Sequence, residues 1–286
     1  MKTKLILLAI ALATTAGVAS AGGSLDGAIA AFEKADYRAA IDLATKAEAE
    51  DDALAPRARY LAGECHLALG EAEAAEKAFR RVVELRPEAV PAWSGIARAL
   101  LRQKKTKEAR EAATRAVELD AKDAEAQRTL GEAYLAEKNE AAAKKPLEAA
   151  YKLDRKDPRT VRALFEYHFR GDRIDKAAAI AQKLSKDVAQ HPMGWFLRGV
   201  AADRAGDDDE AIAHYEKAIA LDDTFIDAHK NLAILCTAKN PLYRNKERTD
   251  KALAHYERYF ALGGEDPELE RVYKTIKSFL AQSGGR

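Results

Sequence analysis

The chain has 286 residues, about a third of them charged, and a net charge of +1. That balance argues against a general polyanion binder, because nucleic-acid modules usually carry a net basic stripe. Proline and glycine are too sparse for a disordered or collagenous chain.

Residues 1–21 form a separate physical class. Lys2 and Lys4 precede an apolar run from Leu5 to Ala13, and Ala19-Ser20-Ala21 offers small residues for cleavage before Gly22. This pattern predicts a cleaved secretory signal and hence a periplasmic or secreted protein. The apolar stretch is interrupted by Thr14, Thr15 and Gly17, and falls short of the roughly 20 apolar residues a membrane span needs. After cleavage no stable span is expected.

Gly22-Gly23-Ser24 reads as a flexible lead. From Leu25 to Glu50 one helical pair is legible, with Ala28, Ile29 and Phe32 on one face and Ala40, Ile41, Leu43, Ala44 and Ala47 on the other. Residues 22–55 thus form a degenerate first unit, one residue out of phase with the later units. Between 56 and 225 the phase is strict. Ala75, Ala109, Ala143, Ala177 and Ala211 stand 34 residues apart, and Gly63, Ala97, Gly131 and Gly199 precede four of them by twelve. Trp93 and Trp195 share one phase. Self-similarity at a fixed period of this size signals a repeat array.

This register divides the chain into five units: 56–89, 90–123, 124–157, 158–191 and 192–225. Each splits into two helices joined by a short turn, at Gly70-Glu71, Lys104 to Thr106, Lys138-Asn139, Gly171-Asp172 and Gly206-Asp207. Glycine there would supply the left-handed residue that closes a helix. The alanine ladder is expected to face the Gly63-type position across its own hairpin. A sixth unit, 226–264, loses register: Ala252 arrives seven residues late, which places an insertion at 237–250. A last helix over about Pro267 to Gln282 carries Leu269, Val272, Tyr273, Ile276 and Leu280 on one stripe, a terminal cap of the kind arrays need. Residues 265–286 are therefore a capping helix and loose tail.

These ladders resemble the tetratricopeptide repeat (TPR) family, whose pattern runs W-x2-L-G-x2-Y, then A-x3-F, then P. The resemblance implies an all-α, right-handed superhelical solenoid of helix-turn-helix repeats. Its poorest fit is 158–191, where Phe165 replaces the small residue and Ala181 the aromatic.

No nucleophile, phosphate-loop, dinucleotide or metal motif is present, so neither an enzyme nor a cofactor is expected. The six histidines are scattered along the chain over four of the repeats, and no two are four apart. His66 and His168, at the Tyr phase, read as packing residues. Cys65 and Cys236 are five repeats apart and are predicted to be free, buried thiols.

In the family, first-helix residues line a concave groove that holds a peptide. Carried over, that phase gives Tyr60, Glu64 and Leu67; Arg98, Leu101 and Arg102; Arg128 and Glu132; Arg159, Arg162, Glu166 and Arg170; and Phe196, Val200 and Arg204. Residues 90–123 hold 8 basic against 5 acidic residues and 158–191 hold 7 against 4, whereas 22–55 and 192–225 each hold 3 against 8. The arginines could clamp an acidic ligand group. Alternatively, Arg128/Glu132 and Arg162/Glu166 are i,i+4 pairs on a solvated face. The role these residues imply is a non-catalytic scaffold for a protein or peptide partner. The alternative is a binder of cell-wall glycan or another envelope polymer through Tyr60, Trp93, Trp195 and Phe196.

Overall fold

The computed structural model describes residues 22–238 and 245–283. The expected signal segment 1–21 lies outside them, as do 239–244 of the insertion and the last residues of the tail. Among the described residues there are fifteen α-helices and no strand, so the all-α expectation holds. The chain divides into two compact units after Asp154.

The first unit holds α1 (Gly22–Glu33), α2 (Tyr37–Glu50), α3 (Ala55–Ala68), α4 (Ala72–Leu85), α5 (Val90–Arg102), α6 (Thr106–Leu119), α7 (Ala124–Ala136) and α8 (Glu140–Leu153). The second holds α9 (Pro158–Arg170), α10 (Ile174–Asp187), α11 (Pro192–Ala205), α12 (Asp208–Leu221), α13 (Ile226–Ala238), α14 (Lys246–Ala261) and α15 (Pro267–Ser283). Gly22, Gly23 and Ser24 belong to the first turn of α1 rather than to a loose lead.

Local chemistry fixes the helix ends. Proline stands at the first or second position of α3, α5, α9 and α11, where its missing N–H has no intrahelical partner to lose. Asp123, Asn139 and Asp157 cap α7, α8 and α9 by accepting backbone N–H bonds with their side chains. Inside each hairpin the turn contains one left-handed residue. Gly70, Lys104, Lys138, Asp172 and Gly206 all have φ between 55° and 87°, and they keep the 34-residue step. In 158–191 the expected Gly171 is not that residue; its φ is −82°, and Asp172 carries the positive φ instead. The step outranks residue type because the turn length between packed helices is fixed by the hairpin.

All five ladder alanines are fully buried. The nearest neighbour of the Gly63-type position, however, is the residue four beyond the ladder alanine. A Cβ on Gly63 would lie 2.6 Å from the Phe79 ring, one on Gly131 2.4 Å from Leu147, and one on Gly199 2.6 Å from Tyr215. The small residue therefore makes room for the side chain four positions after the ladder alanine. Across that phase the sizes complement one another. Where Phe165 takes the small position, Ala181 takes the large one, and both are buried. The poorest family match thus exchanges volume across one contact rather than losing it, which a close-packed interior tolerates.

A second ladder ties four of the hairpins to the turn before them. Nε1 of Trp93 donates to the Pro87 carbonyl at 2.8 Å, Nε2 of Gln127 to Ala121 at 2.9 Å, and Nε1 of Trp195 to Ala189 at 3.2 Å. In the sixth repeat Nε2 of His229 makes the same bond to Asp223 at 3.1 Å. Every bond spans six residues, from the fourth position of a first helix back to the preceding turn. The first repeat, Leu25 to Leu54, keeps the register one residue early, with Ala40 buried and Ala35 at φ 61°. In the sixth repeat Ala252 and Tyr256 are buried seven residues late, as the insertion requires. Of the α15 stripe only Ile276 is fully buried, while Phe279 is 40% exposed.

Candidate partner-binding face

The groove residues of the first unit do not project as a row of donors. Arg98 of α5 pairs with Glu64 of α3, one repeat back, in a tight contact, and its Nε lies 3.3 Å from Glu125 of α7, one repeat on. Arg128 reaches Glu125 at 3.2 Å and both oxygens of Glu132 at 2.8 Å. Glu64, Arg98, Glu125, Arg128 and Glu132 therefore form one ion chain across three repeats. It is largely desolvated: the Arg128 side chain is 3% exposed, Arg98 17% and Glu125 14%. Burial works against the charge on Arg98, but Glu64 and Glu125 more than offset it and hold the guanidinium above its ordinary value. Tyr60 borders the chain, packed edge-on to Phe79 at 5.5 Å. Burial, with Glu64 and Glu125 nearby, raises its phenol. Arg102 donates to the Leu67 carbonyl at 2.5 Å.

The i,i+4 pairing of Arg128 with Glu132 is present, but the arginine is buried rather than solvated, and both Arg98 and Arg128 are already paired with carboxylates of their own chain. Glu125, the junction of the chain, escaped the sequence reading. It lies at the second position of its repeat, the phase of Arg159, and that shared phase was the signal for it.

The second unit differs. Arg159, Arg162, Glu166 and Arg170 follow three- and four-residue spacing along α9, which places them on one stripe. Arg162 is exposed, and among the described residues no hydrogen bond or ion pair holds it. Glu166 pairs with Arg170 rather than with Arg162. Arg159 bonds Asp157, the cap of its own helix, at 3.3 Å. On α11, Arg204 lies over the Phe169 ring at 5.6 Å and 3.3 Å from Asp172, with 56% of its side chain exposed. The second unit therefore shows an arginine-rich stripe that its own carboxylates only partly neutralise.

The aromatic residues offered for a glycan are mostly interior. Tyr60 is 9% exposed and Phe196 8%, the latter packed against Phe225 at 5.0 Å and Tyr215 at 5.9 Å. Trp93 and Trp195 are half-buried and spend their N–H groups on the turn carbonyls. His66 bonds Glu71 at 2.7 Å, and His168 accepts from Arg173 at 3.2 Å, so both serve the hairpin turns. Cys65 and Cys236 are free and buried; burial pushes the Cys65 thiol up to about 12, the opposite of a reactive thiolate. Among the described residues no group of three or more histidine, cysteine or carboxylate side chains could hold a metal ion, and no helix is long and apolar enough to cross a membrane.

Tetratricopeptide repeat models match residues 25–90, 72–133 and 192–225, which together cover half of the chain. The chain belongs to the tetratricopeptide repeat family. Solved structures agree on the fold of this TPR protein. A tetratricopeptide repeat protein from Parabacteroides merdae aligns with TM-score 0.67 at 13% identity, over 90% of this chain and 98% of that one. The Cut9–Hcn1 hetero-tetramer of the APC/C gives TM-score 0.67 at 18% identity over 87% of this chain; the TPR protein spans about half (48%) of the length of the chain it matches there. A human IFIT1 dimer with PPP-AAAA gives 0.58 at 16% identity, over 90% and 73%. At these identities the likeness is one of fold. No curated protein matches the sequence.

Proposed function

We propose that this TPR protein is an exported, non-catalytic scaffold whose protein or peptide partner lies along the first-helix face of the second unit. The observation that carries the reading is the contrast between the two sets of arginines. Arg98 and Arg128 are paired internally with carboxylates, while Arg162 is exposed and held by no carboxylate. A cation left in solvent costs the fold nothing and gives an incoming carboxylate or phosphate a partner. Family membership supports a role in protein interaction, and the fold neighbours include a chain in a hetero-tetramer. One neighbour is solved with PPP-AAAA, so the fold alone does not select the ligand. The net charge of +1 favours protein over nucleic acid. Export rests on the basic start, short apolar core and small-residue ending of residues 1–21.

Arg162→Ala combined with Arg204→Ala tests the surface, since both side chains are exposed. Partner affinity and its salt dependence should fall while the helical content stays unchanged. Unaltered binding would remove the arginine stripe from the account. For export, the mature N-terminus should be Gly22; retention of Met1 would contradict it.

A further inference from the structure

Two histidines that the sequence leaves 26 residues apart meet in the sixth repeat. Nδ1 of His229, on α13, lies 2.9 Å from Nδ1 of His255, on α14. They occupy the positions that Trp195 and His214 fill one repeat earlier, where the two rings also pack, at 5.7 Å.

The repeat register fixes the protons. His229 Nε2 faces the Asp223 carbonyl, which can only accept, as the equivalent carbonyls accept from Trp93, Gln127 and Trp195. Nε2 therefore carries the N–H. In the neutral ring Nδ1 is then a bare acceptor, so His255 must donate from its own Nδ1. One proton occupies the 2.9 Å gap. Two N–H groups cannot face each other across it, so the pair has no arrangement for two imidazolium ions. Chelation fits the geometry less well. With ring centroids 5.0 Å apart and nitrogens 2.9 Å apart, the nitrogens lie close to the line joining the rings and do not converge on a third point.

We propose that His229 and His255 share a single proton that locks α13 to α14, and that acidification breaks this lock and opens the terminal hairpin. The surroundings favour the neutral pair. His229 is 2% exposed. From α14, Lys251 and Arg258 bring positive charge; from α12 and the turn after it, Glu216 and Asp223 bring negative charge. Both carboxylates are already engaged, Glu216 with Lys251 at 2.6 Å and Asp223 with Arg258. His214, by contrast, bonds the Glu210 carboxylate at 3.0 Å, whereas the carboxylate nearest His229, Asp223, stands off at 3.9 Å from Nε2. Burial first, then His229, lowers His255 to about 4; burial also lowers His229, against a smaller opposing pull from Asp223.

The sign comes from linkage. Both folded-state values lie below the unfolded value of about 6.5, so the stabilisation is complete above that pH. It is lost as pH falls through about 6.5 towards 4, because only the open state takes up protons there. Across that window His255 alone should raise the opening constant on the order of a hundredfold. The open hairpin would also unseat α15, which rests on α14 through Tyr256, Phe260 and Tyr273 and on α13 through Lys230–Asp266 at 3.0 Å.

Cys236, buried on α13, reports opening, and Cys65, buried in the first unit, is the internal control. Both can be labelled on the full chain with a disulfide reagent that reacts at acidic pH. Between pH 7.5 and 4.5 the ratio of Cys236 to Cys65 labelling should rise at least tenfold. In His229→Gln the rise should shrink without vanishing, since glutamine keeps the carbonyl bond, as Gln127 shows, and removes the facing ring nitrogen, while burial of His255 remains. A flat ratio in the unaltered protein, or an equal rise in His229→Gln, overturns the proposal. Should that variant fail to fold, ring nitrogen shifts of the unaltered protein decide. At neutral pH they should report Nε2–H for His229 and Nδ1–H for His255, and any other tautomer pair overturns the lock, as does one equivalent of Zn2+ bound by the two rings.

Discussion

Lys138 shows how far the repeat step governs individual residues. A lysine with φ 61° sits where glycine would be unstrained, and it stays because the turn between α7 and α8 has no room to move the left-handed residue elsewhere. Lys138→Gly should therefore stabilise the protein, by up to about 1 kcal/mol, since the relieved strain exceeds the added freedom of the unfolded chain. Thermal melting checks this, and a lower midpoint would contradict it. The same position explains why Gly171 misled the sequence reading. Glycine marks a turn by type, but the structure selects Asp172 by distance along the chain. His229 and His255 were illegible for a related reason. Spacing rules for histidine work within one helix, whereas the insertion before α14 displaces the second histidine by seven residues.

At the scale of helices, the alanine ladder was legible because burial of a small residue repeats with the fold. Its true partner was not, since period alone does not say which residue crosses the hairpin. Ala143 remains a stringent test: it is fully buried, and Ala143→Trp should cost about 1–3 kcal/mol or more by overpacking α7 against α8. A melt showing no loss would refute the register. The ion chain gives a second test. Arg98→Met leaves Glu64 and Glu125 close together with their shared counter-charge gone, at a cost of about 3–5 kcal/mol in chemical denaturation. Adding Glu64→Gln should recover part of that loss. A cost near zero for Arg98→Met would mean the arginine is solvated and available, and the internal neutralisation would be wrong. The sequence could place these arginines, Glu64 and Glu132 on one face, but not the link through Glu125, because Glu125 lies in a different repeat from Arg98.

For the molecule as a whole, the all-helical repeat fold comes from the 34-residue step with little else, and the family match and fold neighbours agree with it. Function is less legible. A first-helix face carries the same phase in every repeat, so phase cannot separate arginines spent inside the chain from one left for a partner. The burial of each side chain does that, and it shifts the candidate surface to the second unit. The most direct test is site-specific photo-crosslinking in envelope extract, with the crosslinking residue placed at Arg162 on α9 or at Lys183 on the exposed side of α10. A discrete adduct at 162, absent at 183 and diminished by raised salt, is the predicted result. Adducts at 183 alone, or equal yields at both positions, would contradict a partner held on the first-helix face.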